Sequence, residues 1–348
     1  MSVLLGLSLD EPLAESEYLL RELRIVWQTS GKSEILSTIE ENHTLGKKTL
    51  IIVSQIDLVF KLIRQSPQNS IVLLILSDEA YSIKSYKLAR LDSVYGILRN
   101  YSLTSQSVTQ YLTTAKSVFG HHLKISNNRF VALLEIAHVL ALYVRNNFVM
   151  SKWQKLKKPV SILPVGYTNK FAKSFSSFMG IGEEKSLLQN SRNSVSERPI
   201  SIYFSGTSGS LQRRNTIEFL HQVPRSKIHV SRNGWNGHES SGIDIEYCQG
   251  LSSSLYAAAL PGYISNESFR YYEALICGAL PIRFGLSLGQ GALDTTIDQQ
   301  VPAATKIEDF EELIMNTEAD RRELVVKLTS GFCHVMEQNS NFLKEAQV

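Results

Sequence analysis

Cysteine is scarce in this 348-residue chain: Cys248, Cys277 and Cys333 are the whole set. Their odd number and scattered positions exclude a disulfide framework and give no metal-ligand spacing, which fits a reducing compartment. No charge of one sign dominates. Thirty-six Lys and Arg against 33 Asp and Glu leave a formal net charge of +3, too small to argue for nucleic acid. No apolar run reaches the ~20 residues that a membrane span needs. The nearest candidate, Phe130–Val144, is short and is interrupted by Glu135 and His138. The N-terminus, MSVLLGLSLDEPLAESEYLL, carries acids early and no basic n-region, so no signal peptide is expected. QTSGKSE stands after the strand pattern Leu23–Trp27, where a dinucleotide-dependent enzyme would carry G-x-G-x-x-G. Acid pairs spaced to hold a divalent ion are missing at strand ends. Asp244 and Glu246 stand two apart but read as a helix start.

What is present is ordinary for a globular protein, with 43% hydrophobic and 20% charged residues. The length implies two domains, since single cores rarely grow past ~250–300 residues. Strand and helix patterns alternate. Leu23–Trp27, Thr49–Ser54 and Ile71–Leu76 read as strands, with Ser93–Leu98 a weaker fourth. The wholly apolar run IVLLIL suits a parallel strand covered on both faces. The rhythm restarts at Ile200–Phe204, Lys227–Val230, Leu255–Leu260 and Ala279–Phe284, after a Ser- and Asn-rich loop, Lys185–Arg198. A last helix is expected over about Glu318–Gln338. The class is therefore α/β, built from two Rossmann-like halves.

Leu255–Gly285 carries the most chemistry. It reads as buried strand, tight loop, helix start, Gly stop and second strand. Asn266, Glu267 and Ser268 lie in the loop, and Arg270 and Glu273 follow in the first helical turns. A helix start with these residues favours a phosphate, through its unpaired N–H groups and its dipole. Arg270 and Glu273 are three apart and share a face. Gly278 is placed to end the helix. A second junction has a Gly-rich turn, Gly206–Gly209, leading to Arg213 and Arg214. Such a turn lets backbone approach a ligand closely.

These segments resemble a known family. SNESFRYYEALICGALPI matches the S-x-R-x-x-E-A-x-x-x-G-x-x-P signature of exostosin-like glycosyltransferases. LILSDEAY (Leu74–Tyr81), LRNYSL (Leu98–Leu103), ILPVGY (Ile162–Tyr167) and IYFSGTSGSLQRRN (Ile202–Asn215) resemble further segments of that family, in the same order. The likeness is nearest to the branch that includes the ribitol xylosyltransferases. It implies the GT-B architecture, with two Rossmann-like domains facing across a cleft. The expected boundaries are 1–165 for the acceptor domain, 166–316 for the nucleotide-sugar domain, and 317–348 for a helix crossing back onto the first. Residues 104–159 stand as a helical insertion, because the RNY and LPxGY segments usually sit closer together.

The implied chemistry is inverting, metal-independent transfer of a sugar from a nucleotide-diphosphate donor to a glycan hydroxyl, without a cofactor. Arg270 and either Arg213 or Arg214 clamp the diphosphate, aided by Ser268 and the close approach at Gly206. Arg suits this because its planar fork meets phosphate oxygens in pairs. Glu273 takes the ribose hydroxyls or else pairs with Arg270 along the helix. Glu267 touches the donor sugar or only favours the helix dipole. Inversion needs a general base from the first half. Asp78 or Glu79, just past the IVLLIL strand, is the candidate, with Arg99 orienting the carboxylate or binding an acidic acceptor. The alternative is a catalytically inactive protein that binds a sugar nucleotide or scaffolds a polysaccharide assembly complex. Expected partners are a nucleotide sugar and a glycan or lipid-linked glycan, with no nucleic acid. The expected location is cytoplasmic, either free or peripheral at the inner face of the membrane. Phe130–Val144 reads as a buried core helix, with a homodimer contact or a membrane-docking face as the other readings. Lys152–Lys158 (KWQKLKK) reads as a solvated linker or a basic membrane contact, so any peripheral contact would run through 130–158.

Overall fold

The computed structural model describes residues 4–9, 22–53, 56–76, 82–100, 129–182, 186–188, 198–207, 211–231, 244–260, 268–284, 301–304 and 307–348. In chain order the first elements are β1 (Leu4–Ser8), β2 (Ile25–Thr29), α1 (Lys32–Thr44), β3 (Thr49–Val53), α2 (Ile56–Ile63), β4 (Ile71–Ile75), α3 (Ile83–Ala89), β5 (Val94–Asn100), α4 (Arg129–Gln154) and β6 (Val160–Leu163). There follow α5 (Asn169–Met179), β7 (Ile200–Thr207), α6 (Leu211–Leu220), β8 (Lys227–Ser231), α7 (Ile245–Ser252), β9 (Ser254–Ala259), α8 (Phe269–Ile276), β10 (Leu280–Phe284), β11 (Ala303–Ala304), α9 (Ile307–Thr317) and α10 (Arg321–Glu345). The chain is α/β and divides into two compact units. One comprises Met1–Thr104, Asn146–Asn169 and Phe332–Val348; the other comprises Ser105–Arg145 and Lys170–Gly331.

The first unit holds a six-stranded sheet in the order β2-β1-β3-β4-β5-β6, and every pairing in it is parallel. Strands β3 and β4 are buried at all ten positions, because both faces of a parallel sheet are covered. Strand β1 was not among the strands expected from sequence. It is five residues long and is interrupted by Gly6, whose Cα lies so close to Ile25 and Ile52 that a Cβ would meet each at 3.1 Å. A glycine that makes close packing here weakens the strand pattern in the sequence. The final turns of α10 seat on the other end of the sheet. Asn339 Nδ2 donates to the Ile162 carbonyl at 2.9 Å, and the ring of Phe342 lies over Gly96.

Helix α4 corrects two readings. It runs 26 residues and carries the helix through the start of the basic run. Trp153 is 1% exposed and belongs to the core of the first sheet, with Val149. Lys158 Nζ donates to the Val94 carbonyl at 2.6 Å and to that of Leu91, and burial lowers its pKa. Lys152–Lys158 is thus not a solvated linker, although Lys155 and Lys157 are exposed. Nor is Phe130–Val144 a wholly buried helix, since Leu133, Leu134 and Val144 are 51%, 56% and 66% exposed. Among the described residues, no helix is long and apolar enough to cross a membrane. The last two helices are α9 and α10, so the expected helix 318–338 starts and ends later than its pattern suggested.

The second unit holds a five-stranded sheet, β11-β10-β9-β7-β8, again parallel throughout. Arg198 ties its helices to it. The Arg198 guanidinium donates to the Ser254 carbonyl at 2.7 Å and to the Cys277 carbonyl at 2.9 Å, joining the start of β9 to the end of α8. Helix α8 stops where glycine was expected to stop it. Gly278 has φ 75°, and Gly278 N and Ala279 N donate to the Leu275 and Ala274 carbonyls. Helix α7 lies directly on β7. A Cβ at Gly250 would meet the Tyr203 ring at 2.3 Å, so only glycine fits this contact. The three cysteines are free, and Cys248 and Cys277 are buried.

Candidate functional site

Read along the chain, both sheets have the strand order 2-1-3-4-5, the first with one strand more. In such sheets the chain leaves neighbouring strands in opposite directions at one point, which opens a crevice at their carboxyl ends. In the second unit that point lies between β7 and β9. The residues that follow these two strands are the ones singled out from sequence: Gly206 at the end of β7, Arg213 and Arg214 on α6, and Ser268, Arg270 and Glu273 at and beyond the start of α8.

Arg270 joins the two strand ends. It is half-buried, and its Nε donates to the carbonyl of Ser205 on β7. Its guanidinium carbon lies 5.7 Å from the centroid of Phe204. The guanidinium also lies against Gly206, where a Cβ would be 2.5 Å from Nη2. Among the described residues neither Nη group takes a hydrogen-bond partner. Among the described residues the fork is therefore anchored through one donor, with four further N–H groups to offer a ligand. Glycine at 206 is what leaves room for it. Gly206→Ala is expected to push the guanidinium off its seat and weaken binding of inorganic pyrophosphate about tenfold or more. Because the clash falls on the end of a flexible side chain, the melting temperature should move only a few degrees. Titration calorimetry beside a thermal melt checks both.

Ser268 is the N-cap of α8, with φ −137° and ψ 152°, but its hydroxyl accepts nothing from the first turn. Its Oγ is buried and has no hydrogen-bond partner among the described residues. Glu273 is 3% exposed. Its carboxylate accepts from Tyr247, whose hydroxyl donates to Oε2 at 2.6 Å. Burial, then the adjacent Glu273, pushes the Tyr247 phenol well above the usual tyrosine range, and Arg270 pulls the other way. The phenol is therefore a donor at neutral pH. Asp244 caps α7 through the Tyr247 N–H at 3.0 Å, as its helix-start reading required. Arg213 is half-buried and Arg214 exposed. Both ride on the helix after β7, and the choice between them stays open.

Asn266, Glu267, Asp78 and Glu79 lie outside the described residues. In the first unit the crevice point falls between β1 and β3, whereas Asp78 and Glu79 follow β4, one strand further along. Arg99 is fully buried, its guanidinium carbon stands 4.4 Å from the centroid of Trp153, and its Nε donates to the Asn100 carbonyl at 3.3 Å. Full burial corrects the reading of Arg99 as a contact for an acidic acceptor, while the carboxylates it would orient lie outside the described residues. Among the described residues no cluster of three His, Cys, Asp or Glu side chains is assembled. Sequence reasoning passed over Tyr247, because its contact with Glu273 spans 26 residues and only the fold creates it.

Comparison with protein-family models gave no match, and comparison with curated proteins gave none either. The reading of the site rests on its geometry and on the order of its sequence motifs.

Proposed function

We propose that the chain is an inverting, metal-independent glycosyltransferase of GT-B architecture. It moves a hexosyl or pentosyl group from a nucleotide-diphosphate sugar to a hydroxyl of a glycan or lipid-linked glycan, in surface polysaccharide or lipopolysaccharide synthesis. The observation that supports this best is Arg270. Its guanidinium is fastened to the carbonyl of Ser205 through Nε and seated on Gly206 at a strand-order crevice. Cleavage of the anomeric bond leaves charge on the diphosphate, and prearranged donors at that position lower the barrier. Arg270, one of Arg213 and Arg214, Ser268 and the N–H groups of the α8 start supply them. Asn266 and Glu267, in the preceding loop, complete the donor site. Asp78 or Glu79 takes the proton of the acceptor hydroxyl as the new bond forms and the nucleoside diphosphate leaves with the electron pair.

The test is calorimetry with uridine, guanosine and cytidine diphosphate sugars in the presence of a chelator, followed by a transfer assay. Binding of one nucleotide class, with turnover unaffected by chelation, is expected. If no sugar nucleotide binds, the donor site is wrong. Activity lost on chelation and restored by manganese would rule out the metal-independent route. Binding without transfer to any glycan would favour the inactive, scaffolding alternative.

A further inference from the structure

Helix α4 has one side in a core and another open to solvent. Val149 and Trp153 pack in the core of the first sheet. Leu133, Leu134, Val144 and Phe148 are instead 51%, 56%, 66% and 55% exposed. At about 100° per residue these four fall on one side of the helix, within an arc of about 120° that also holds Arg145 and Lys152. Ala137 and Ala141 stand on the same arc and are exposed as well. From Leu133 to Phe148 the stripe runs about 22 Å. An apolar side chain exposed singly is ordinary, but a contiguous stripe marks an interaction surface.

Charge on and beside the stripe says what covers it. Arg145 is exposed directly after Val144, and Lys152 Nζ lies 5.3 Å from the centroid of the Phe148 ring. Lys155 and Lys157 are exposed just past the helix end. Among the described residues none of these four cations is paired with a carboxylate. The arc itself holds no acidic residue. A second copy laid on the same face would therefore bring no carboxylate to meet Arg145 and Lys152. An anionic lipid surface meets both features at once. The apolar side chains enter the boundary of the acyl chains, and the Arg and Lys stems reach the headgroup phosphates. Glu135, Arg145 and Lys152 interrupt the apolar run, so the helix suits lying along such a surface and not through it.

We propose that this face of α4 seats the chain on an anionic bilayer. Leu133, Leu134, Val144 and Phe148 supply the apolar contact, and Arg145 and Lys152 meet the lipid phosphates. The proposal stands independently of the donor-site reading. A seat of this kind suits an acceptor that is itself carried on a lipid.

Sedimentation of the whole chain with vesicles of phosphatidylcholine, alone or mixed with phosphatidylglycerol, tests it. At low salt, partitioning onto the mixed vesicles should exceed that onto the neutral ones by about tenfold or more, and the difference should shrink as salt screens the cations. Arg145→Gln combined with Lys152→Gln should weaken partitioning about 25-fold, at about fivefold per cation. Phe148→Ser should weaken it about tenfold by removing apolar contact. These side chains lie outside the core, so the melting temperature should hold within a few degrees. Phe148→Trp gives a second readout that needs no truncation. Its emission in excess of wild type should be quenched by brominated lipids in the mixed vesicles. Absence of that quenching while the chain is vesicle-bound would place the contact elsewhere and overturn the proposal. Wild-type partitioning in the Gln and Ser variants would do the same, and so would equal partitioning onto neutral and mixed vesicles. A concentration-dependent dimer that Phe148→Ser abolishes, seen by sedimentation velocity without any vesicle binding, would assign the face to a second copy instead.

Discussion

Arg270→Ala is expected to weaken binding of the donor nucleotide and lower kcat/KM by about 100-fold or more, the usual cost of removing one prearranged donor from developing oxyanion charge. The argument lies in how the side chain is held. Its Nε is committed to the Ser205 carbonyl, so the plane of the guanidinium is set before any ligand arrives. Phe204 and Gly206 fix the remaining freedom, one by its ring and the other by having no side chain. Little rotamer entropy is left to lose on binding, which is why a preset arginine outperforms a mobile cation. Arg270→Lys separates charge from geometry. Lysine keeps the positive charge but cannot anchor on Ser205 while presenting a fork, so it should recover only a small part of the loss. The stability change should stay near about 1 kcal/mol, the worth of the one hydrogen bond given up. Calorimetric affinity, steady-state rates and a thermal melt on the three proteins decide the matter. Equal affinities in wild type and Arg270→Ala would place the clamp elsewhere, with Arg213 and Arg214 as the next residues to remove.

The parts of this picture that the sequence made legible were those with local causes. Thr49–Val53 and Ile71–Ile75 are wholly apolar because parallel strands are covered on both sides, and such runs are visible at once. Gly278 ends α8 because only glycine readily takes φ 75°. Arg270 and Gly206 were each singled out, but their contact was not, since 64 residues separate them and the strand order brings them together. The strand order of the first sheet was hidden as well, because β1 is short and broken by Gly6. Tyr247 illustrates the limit best. Nothing about a tyrosine one turn into an amphipathic helix announces a buried carboxylate on another helix. Trp153 failed in the opposite direction. An aromatic among lysines looks exposed, yet this one packs in the core against the buried Arg99 guanidinium.

Trp153→Ala is the largest stability loss expected in the first unit, about 3 to 5 kcal/mol for removal of a buried aromatic ring. Met150, Lys152 and Gln154 sustain helix propensity into the start of the basic run, and the helix ends at Gln154. The helix therefore carries the indole into the core beside Val149. There it meets Tyr86 edge-on at 5.9 Å between ring centroids and covers the Arg99 guanidinium. Alanine would open a cavity and also remove the aromatic face on which a fully buried cation rests, a contact worth about 2 kcal/mol when desolvated. Trp153→Phe is the informative control. The indole Nε1 makes no hydrogen bond among the described residues, so phenylalanine forfeits none and keeps a ring over Arg99. Its cost should be less than half that of alanine. Native-state hydrogen exchange at Ile71–Ile75 and Val94–Asn100 resolves the effect where it acts, since these strands share the core with Trp153. Protection there should fall by the full amount in Trp153→Ala and by a minor fraction in Trp153→Phe. Equal losses in the two variants would mean that the full volume of the indole, and not merely an aromatic face over Arg99, holds this part of the core.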